Sequence, residues 1–135
     1  MSRQEVSSEE NIVRAIHSAW WDIQENRKNA SIFKNRNDDI SVSRLSILSL
    51  AELFQIFHEE LDTSPNGVIV GAGEINVGRL KEIAKNYSPS LQLSVEEAPL
   101  PKNSAHAEIP QKVSRGLANS IIRELKFHVD TEVGT

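Results

Sequence analysis

The residues with the most chemistry to offer stand in Pro99-Leu100-Pro101-Lys102-Asn103-Ser104-Ala105-His106-Ala107-Glu108-Ile109-Pro110, where an imidazole and a carboxylate lie two positions apart. Pro101 and Pro110 fix φ and lack a backbone donor, so they bound a short extended run. In such a run residues i and i+2 share a face, which sets His106 beside Glu108 and turns Ala105, Ala107 and Ile109 towards a core. A pair of this kind can move a proton, contribute to a metal site, or clasp a strand through one hydrogen bond. The clasp is the expected role.

The tripeptide His106-Ala107-Glu108 has the H-x-E order of zinc deaminases, but that chemistry also requires a P-C-x-x-C segment and the chain has no cysteine. The other histidines are His17, His58 and His128. His58 and Asp62 fall at i, i+4 on a helix, a spacing that can hold zinc, yet a solvated polar stripe is the simpler reading. No metal and no cofactor is expected. Gly71-Ala72-Gly73 followed by Gly78 misses the G-x-G-x-x-G spacing and lacks the lysine of a phosphate loop, so close strand packing explains these glycines. Arg14 sits between Ile12 and Ile16 on one face of an apolar strand and needs a partner. An edge strand with the side chain in water is the expected solution. Trp20 and Trp21 read as anchors over a loop. With Arg27 and Arg36 they also form the candidate partner-binding surface, because aromatic and arginine side chains dominate such contacts.

Composition narrows the class. At 135 residues, with 15 basic and 19 acidic side chains for a net charge of −4, the chain is one domain's worth without a nucleic-acid signature. Absent cysteine removes disulfides and thiolate nucleophiles. No stretch approaches the ~20 apolar residues of a membrane span. Met1-Ser2-Arg3-Gln4-Glu5 lacks the apolar centre of a signal peptide, so a cytoplasmic protein is expected.

Several elements must position these residues. Residues 1–10 read as a frayed lead-in, 11–128 as the domain and 129–135 as a loose tail. Within the domain, residues 11–17 read as a strand. Ile40-Ser41-Val42-Ser43-Arg44-Leu45 alternates as a second strand. Ser49 and Glu52 form a capping box for a helix whose Leu50, Leu53, Phe54, Phe57 and Leu61 recur at helical spacing. Val68–Ile75 reads as a buried central strand, and Asn76 caps a helix to about Asn86. Leu91–Glu96 reads as a half-buried strand, followed by the short strand around His106. Ser114 caps a last helix over roughly 115–127. The order predicts an α+β (mixed α/β) domain, with a central sheet of about five strands and three helices.

Three segments together resemble a family of small uncharacterised bacterial proteins. They are Ile12-Val13-Arg14-Ala15-Ile16; Ala30-Ser31-Ile32-Phe33-Lys34 with Ile40-Ser41-Val42-Ser43-Arg44-Leu45; and Pro101 to Ile109, which is similar to that family's N-P-A-H-A-x-I segment. Ser104 stands where the pattern has proline. The likeness covers roughly residues 12–125 and implies a single bacterial domain without implying an activity. Two functional readings follow. The first is an interaction module: a subunit, regulator or immunity-type partner of another protein from the same operon, phage defence included. The second is an enzyme on a nucleotide such as NAD, because Arg14, then Ser41 or Ser43, then Glu108 resembles the Arg–Ser–Glu order of ADP-ribosyltransferase-like folds. That resemblance implies an arginine on phosphate, a serine bracing the nucleotide and a glutamate orienting the attacking group. His106 joins that candidate set. What separates the readings is whether these side chains meet in one pocket.

Overall fold

The computed structural model describes residues 3–35 and 39–130. In chain order the elements are β1 (Asn11–His17), β2 (Trp21–Asp22), β3 (Arg27–Lys28), a 3-10 turn (Ala30–Ile32), β4 (Ile40–Arg44), α1 (Leu50–Leu61), β5 (Ile69–Asn76), α2 (Val77–Tyr87), β6 (Glu96–Glu97), β7 (His106–Ile109), α3 (Arg115–Ile122) and β8 (Lys126–Val129). One sheet of six strands runs in the order β6-β7-β4-β1-β5-β8, and β2 with β3 forms a separate hairpin. Every neighbouring pair in the sheet is antiparallel. With three helices against it, the domain is α+β.

The helices start where the sequence caps them. Ser49 and Glu52 satisfy each other's backbone amides at the start of α1. Asn76 Oδ1 accepts from Arg79 N at 3.0 Å, and Ser114 Oγ accepts from Leu117 N at 3.2 Å, opening α2 and α3. Strand alternation then divides the apolar residues between two faces. Ile12, Ile16, Ile40, Val42, Ile75, Ala107 and Ile109 meet α2 and α3 in the larger core. Val13 and Ala72 meet Leu53, Phe54 and Phe57 of α1 in a smaller one.

The sheet has one strand more than the five expected. The last helix stops at Ile122, not near 127, and Lys126–Val129 pairs with β5 along Gly71–Glu74 as the sheet's outermost strand. Strand geometry also brings Phe127 against Trp21, ring centroids 5.1 Å apart. The strand expected over 91–96 shrinks to Glu96–Glu97, although Leu93 and Val95 are buried. The lead-in is tied down: Val6 is buried, its N–H donates to Val95 O at 2.7 Å, and Glu5 bridges Glu96. At the other end Val129 closes β8 and Asp130 is buried, while the rest of the expected tail lies outside the described residues. Among the described residues no helix is long and apolar enough to cross a membrane.

Candidate functional site

Strand β1 ladders with β5 along its whole length, from Asn11 to His17, but with β4 at only two positions, Ile12↔Arg44 and Val13↔Ser43. Past Val13 the β1–β4 pairing ends, and a cavity of about 620 Å³ opens there between the sheet and α1. Its size is in the range of sites for drug-sized molecules. Val13, Ala15, Phe57 and Leu61 supply apolar wall, and Leu100 to Asn103 form the far rim.

Arg14 occupies the gap in the ladder. Its Nε donates to Ile32 O at 2.7 Å and its Nη1 to Ser41 O at 2.8 Å. The guanidinium carbon lies 5.4 Å from the Trp20 ring centroid, a cation–π contact. Arg14 is therefore half-buried on a central strand, not set in water on an edge as expected. Loss of hydration pushes its pKa down to about 10, which leaves it a cation at neutral pH. Among the described residues no carboxylate pairs with it; its two acceptors are backbone carbonyls.

Two histidines line the same cavity. His17 Nδ1 donates to Gly67 O at 2.8 Å, and His106 Nδ1 donates to Ala98 O at 2.8 Å. A carbonyl only accepts, so the proton sits on Nδ1, and in the neutral ring Nε2 is an acceptor. The β1–β5 register shifts between Ile16 and His17, a bulge that re-aims the His17 side chain. Gly67 has φ +96, and a Cβ there would lie 2.0 Å from Ser18 Oγ, so glycine is what allows its carbonyl to reach His17. His17 meets Trp20 edge-on, centroids 4.6 Å apart. At the other end Ser43 Oγ accepts from Asn103 Nδ2 at 3.1 Å, and Asn103 Oδ1 accepts from Ala105 N at 3.0 Å. That leaves the Ser43 hydroxyl proton available to a bound group.

Arg14, Ser41, Ser43, His106 and Trp20 thus line one cavity, and Glu108 does not. Glu108 pairs with Arg3, which also reaches Glu96 at 3.1 Å and Asp39 at 3.4 Å. His106 and Glu108 share a face, as the alternation requires, but each bonds elsewhere and the expected clasp between them is not made. Trp21 is buried against Phe127, and a Cβ on Gly71 would come within 2.7 Å of its ring. Arg27 and Lys28 are exposed on the hairpin, whereas Arg36 lies outside the described residues. His58 is not on an idle polar stripe: Nδ1 meets Asp62 Oδ2 at 2.8 Å and Nε2 meets Asp130. Among the described residues no group of three or more histidine, aspartate or glutamate side chains is placed to hold a metal ion.

Sequence reasoning missed His17 and Asn103. Neither carries a motif: His17 ends an apolar strand, and Asn103 lies in a turn closed by Leu100 N to Asn103 O and its reciprocal. Chemically the cavity offers a cation at Arg14, an acceptor at each Nε2, a donor at Ser43 and an apolar lining between them. No protein-family model, no curated protein and no solved structure matches this chain.

Proposed function

We propose that this chain is a small-molecule-binding domain whose ligand is an organic anion with a flat or apolar body, nucleotides being the first class to test. One observation carries the reading: Arg14 lines the cavity and, among the described residues, its guanidinium meets carbonyl acceptors and no carboxylate, and a half-buried cation without a counter-charge is best satisfied by an anion. Trp20 beside it suits a planar group, and the Phe57 and Leu61 side suits an apolar one. The ADP-ribosyltransferase-like layout would put a carboxylate at the ligand. Glu108 lies outside the cavity, so binding is favoured over ADP-ribosyl transfer.

Calorimetry against nucleoside mono- and diphosphates, NAD and aryl carboxylates tests this. A saturable ligand is expected, bound about tenfold or more weakly by Arg14→Lys, which keeps charge but loses the planar fork. No binder in the panel, or affinity unchanged in Arg14→Lys, overturns it. The interaction module stays as the second reading, supported by a shallow concave surface lined by Trp20, Trp21, Arg27 and Lys28. Co-purification of an operon partner, lost in Trp20→Ala with the fold intact, would favour it.

A further inference from the structure

We propose that His58 is a pH-sensitive latch on α1, closed when the ring is protonated, and that opening it at higher pH weakens ligand binding in the cavity α1 covers. The second half rests on the ligand-binding reading given above; the first does not.

The geometry demands a charged ring. His58 Nδ1 meets Asp62 Oδ2 at 2.8 Å and Nε2 meets an oxygen of Asp130, so both ring nitrogens face carboxylates. A neutral imidazole has one N–H and would set a lone pair against the second carboxylate; only the imidazolium donates to both. The Asp130 side chain is only 2% exposed, so this contact is largely shielded from water. Among the described residues, the charged and titratable groups around the ring include Asp62, Glu59 and Glu52 from α1, Asp130 from the end of β8, and His17 from β1, whose charge acts on Asp62. Burial acts against the charged ring, but the bonds to Asp130 and Asp62 and their charges outweigh it, leaving the His58 pKa raised above 6.5.

The latch bears on the cavity because it holds the same turn of α1. Ile56, Phe57, Glu60 and Leu61 face the cavity while His58 reaches Asp130 just past β8. Asp62 Oδ1 also accepts from Ile69 N at 2.8 Å, tying the helix end to β5. On the opposite flank an exposed pair, Glu60 with Lys102 at 3.6 Å, assists. The helix otherwise rests on the smaller core, and helix ends open locally more readily than helix centres. The sign follows from the raised value. Latch stability is fully present below the ordinary histidine pKa and is lost as pH rises through the folded one.

The test has two arms. In the first, ligand-free protein is titrated from about pH 6 to about pH 9 while NMR follows the His58 ring and the amides of residues 56–62. Those amides are expected to move with the His58 midpoint, and to stop doing so in His58→Gln. Amides that ignore His58 overturn the latch. In the second arm the probe is 1-anilinonaphthalene-8-sulfonate, an aromatic anion read by fluorescence. Its affinity is expected to fall by roughly fivefold or more across the same range, a usual size for coupling between sites. His17 and His106 line the cavity as well, but His58→Gln and Asp62→Asn retain both, so the dependence that disappears in these variants belongs to the latch. Equal pH dependence in wild type and variants overturns the coupling. Moving amides with no probe binding at any pH support the latch and overturn the binding reading. Asp62→Asn keeps an acceptor for Ile69 N and serves if His58→Gln does not fold.

Discussion

Arg14 Nη1 donates to the backbone carbonyl of Ser41 at 2.8 Å, just where the β1–β4 ladder gives out. A side chain has taken an acceptor that strand pairing leaves unused, and the cavity opens beside it. Arg14→Met should therefore leave the Ser41 and Ile32 carbonyls short of a donor and cost about 1–3 kcal/mol in urea unfolding. Arg14→Lys, able to reach one carbonyl at a time, should fall between. A variant as stable as wild type would mean that water satisfies both carbonyls.

Phe57 tests the second face of the sheet. It is 4% exposed in the smaller core and stacks edge-on with Phe54, centroids 6.1 Å apart. Phe57→Ala should cost about 3 kcal/mol, the low end for a buried phenylalanine, because the ring already borders open space. A loss under about 1 kcal/mol would show that α1 contributes little to the fold.

These residues also mark how far the sequence could be read. The α1 stripe, its Ser49–Glu52 box and strands β1, β4 and β5 were legible, because caps and periodicity act within a few residues. Strand β8 was not. Leu125 continues the helical spacing of Leu117 and Ile121, and only the free edge of β5, some fifty positions earlier in the chain, makes Lys126–Val129 a strand. Arg14 was legible as an anomaly, but not its solution, since Ile32 and Ser41 become its acceptors only once the fold is made. The cavity itself lies between elements distant in sequence and leaves no local signal.

Acid should destabilise the domain through its paired carboxylates. Glu10 is held below the usual carboxylate value chiefly by Arg44, with Ser46 assisting. Asp62 and Glu74 are lowered despite burial, by the Ile69 amide and His58 and by His128 and Asn11 respectively. A carboxylate with a lowered folded pKa contributes stability above its unfolded value and loses it as pH falls through the folded one. Unfolding free energy should thus decline as pH drops below the ordinary carboxylate range. Glu10 bonds Arg44 at two points, 2.6 and 2.9 Å, so Glu10→Gln should cost about 1–2 kcal/mol at neutral pH and make the acid decline shallower. An unchanged slope would place the acid sensitivity elsewhere.

Glu108 separates binding from catalysis. It shares a face with His106 and pairs in register with Ser41, yet its carboxylate turns to Arg3, beside Glu96 and Asp39. Arg3 keeps those other two acids when one is removed, and exposed ion pairs contribute little. Glu108→Gln should therefore melt with the wild type and bind a cavity ligand with unchanged affinity. His106→Phe, which removes an acceptor lining the cavity, should weaken that binding about tenfold while Nδ1's loss of Ala98 O shows as a lower melting point. A catalytic carboxylate would differ in turnover alone: it acts through charge at the transition state, so its amide variant folds and binds normally but turns nothing over. The decisive measurement is NAD turnover and ligand affinity for Glu108→Gln beside wild type. Turnover present in wild type and abolished in this variant, with melting and affinity intact, would restore the Arg14, Ser41 or Ser43, Glu108 layout as a working site.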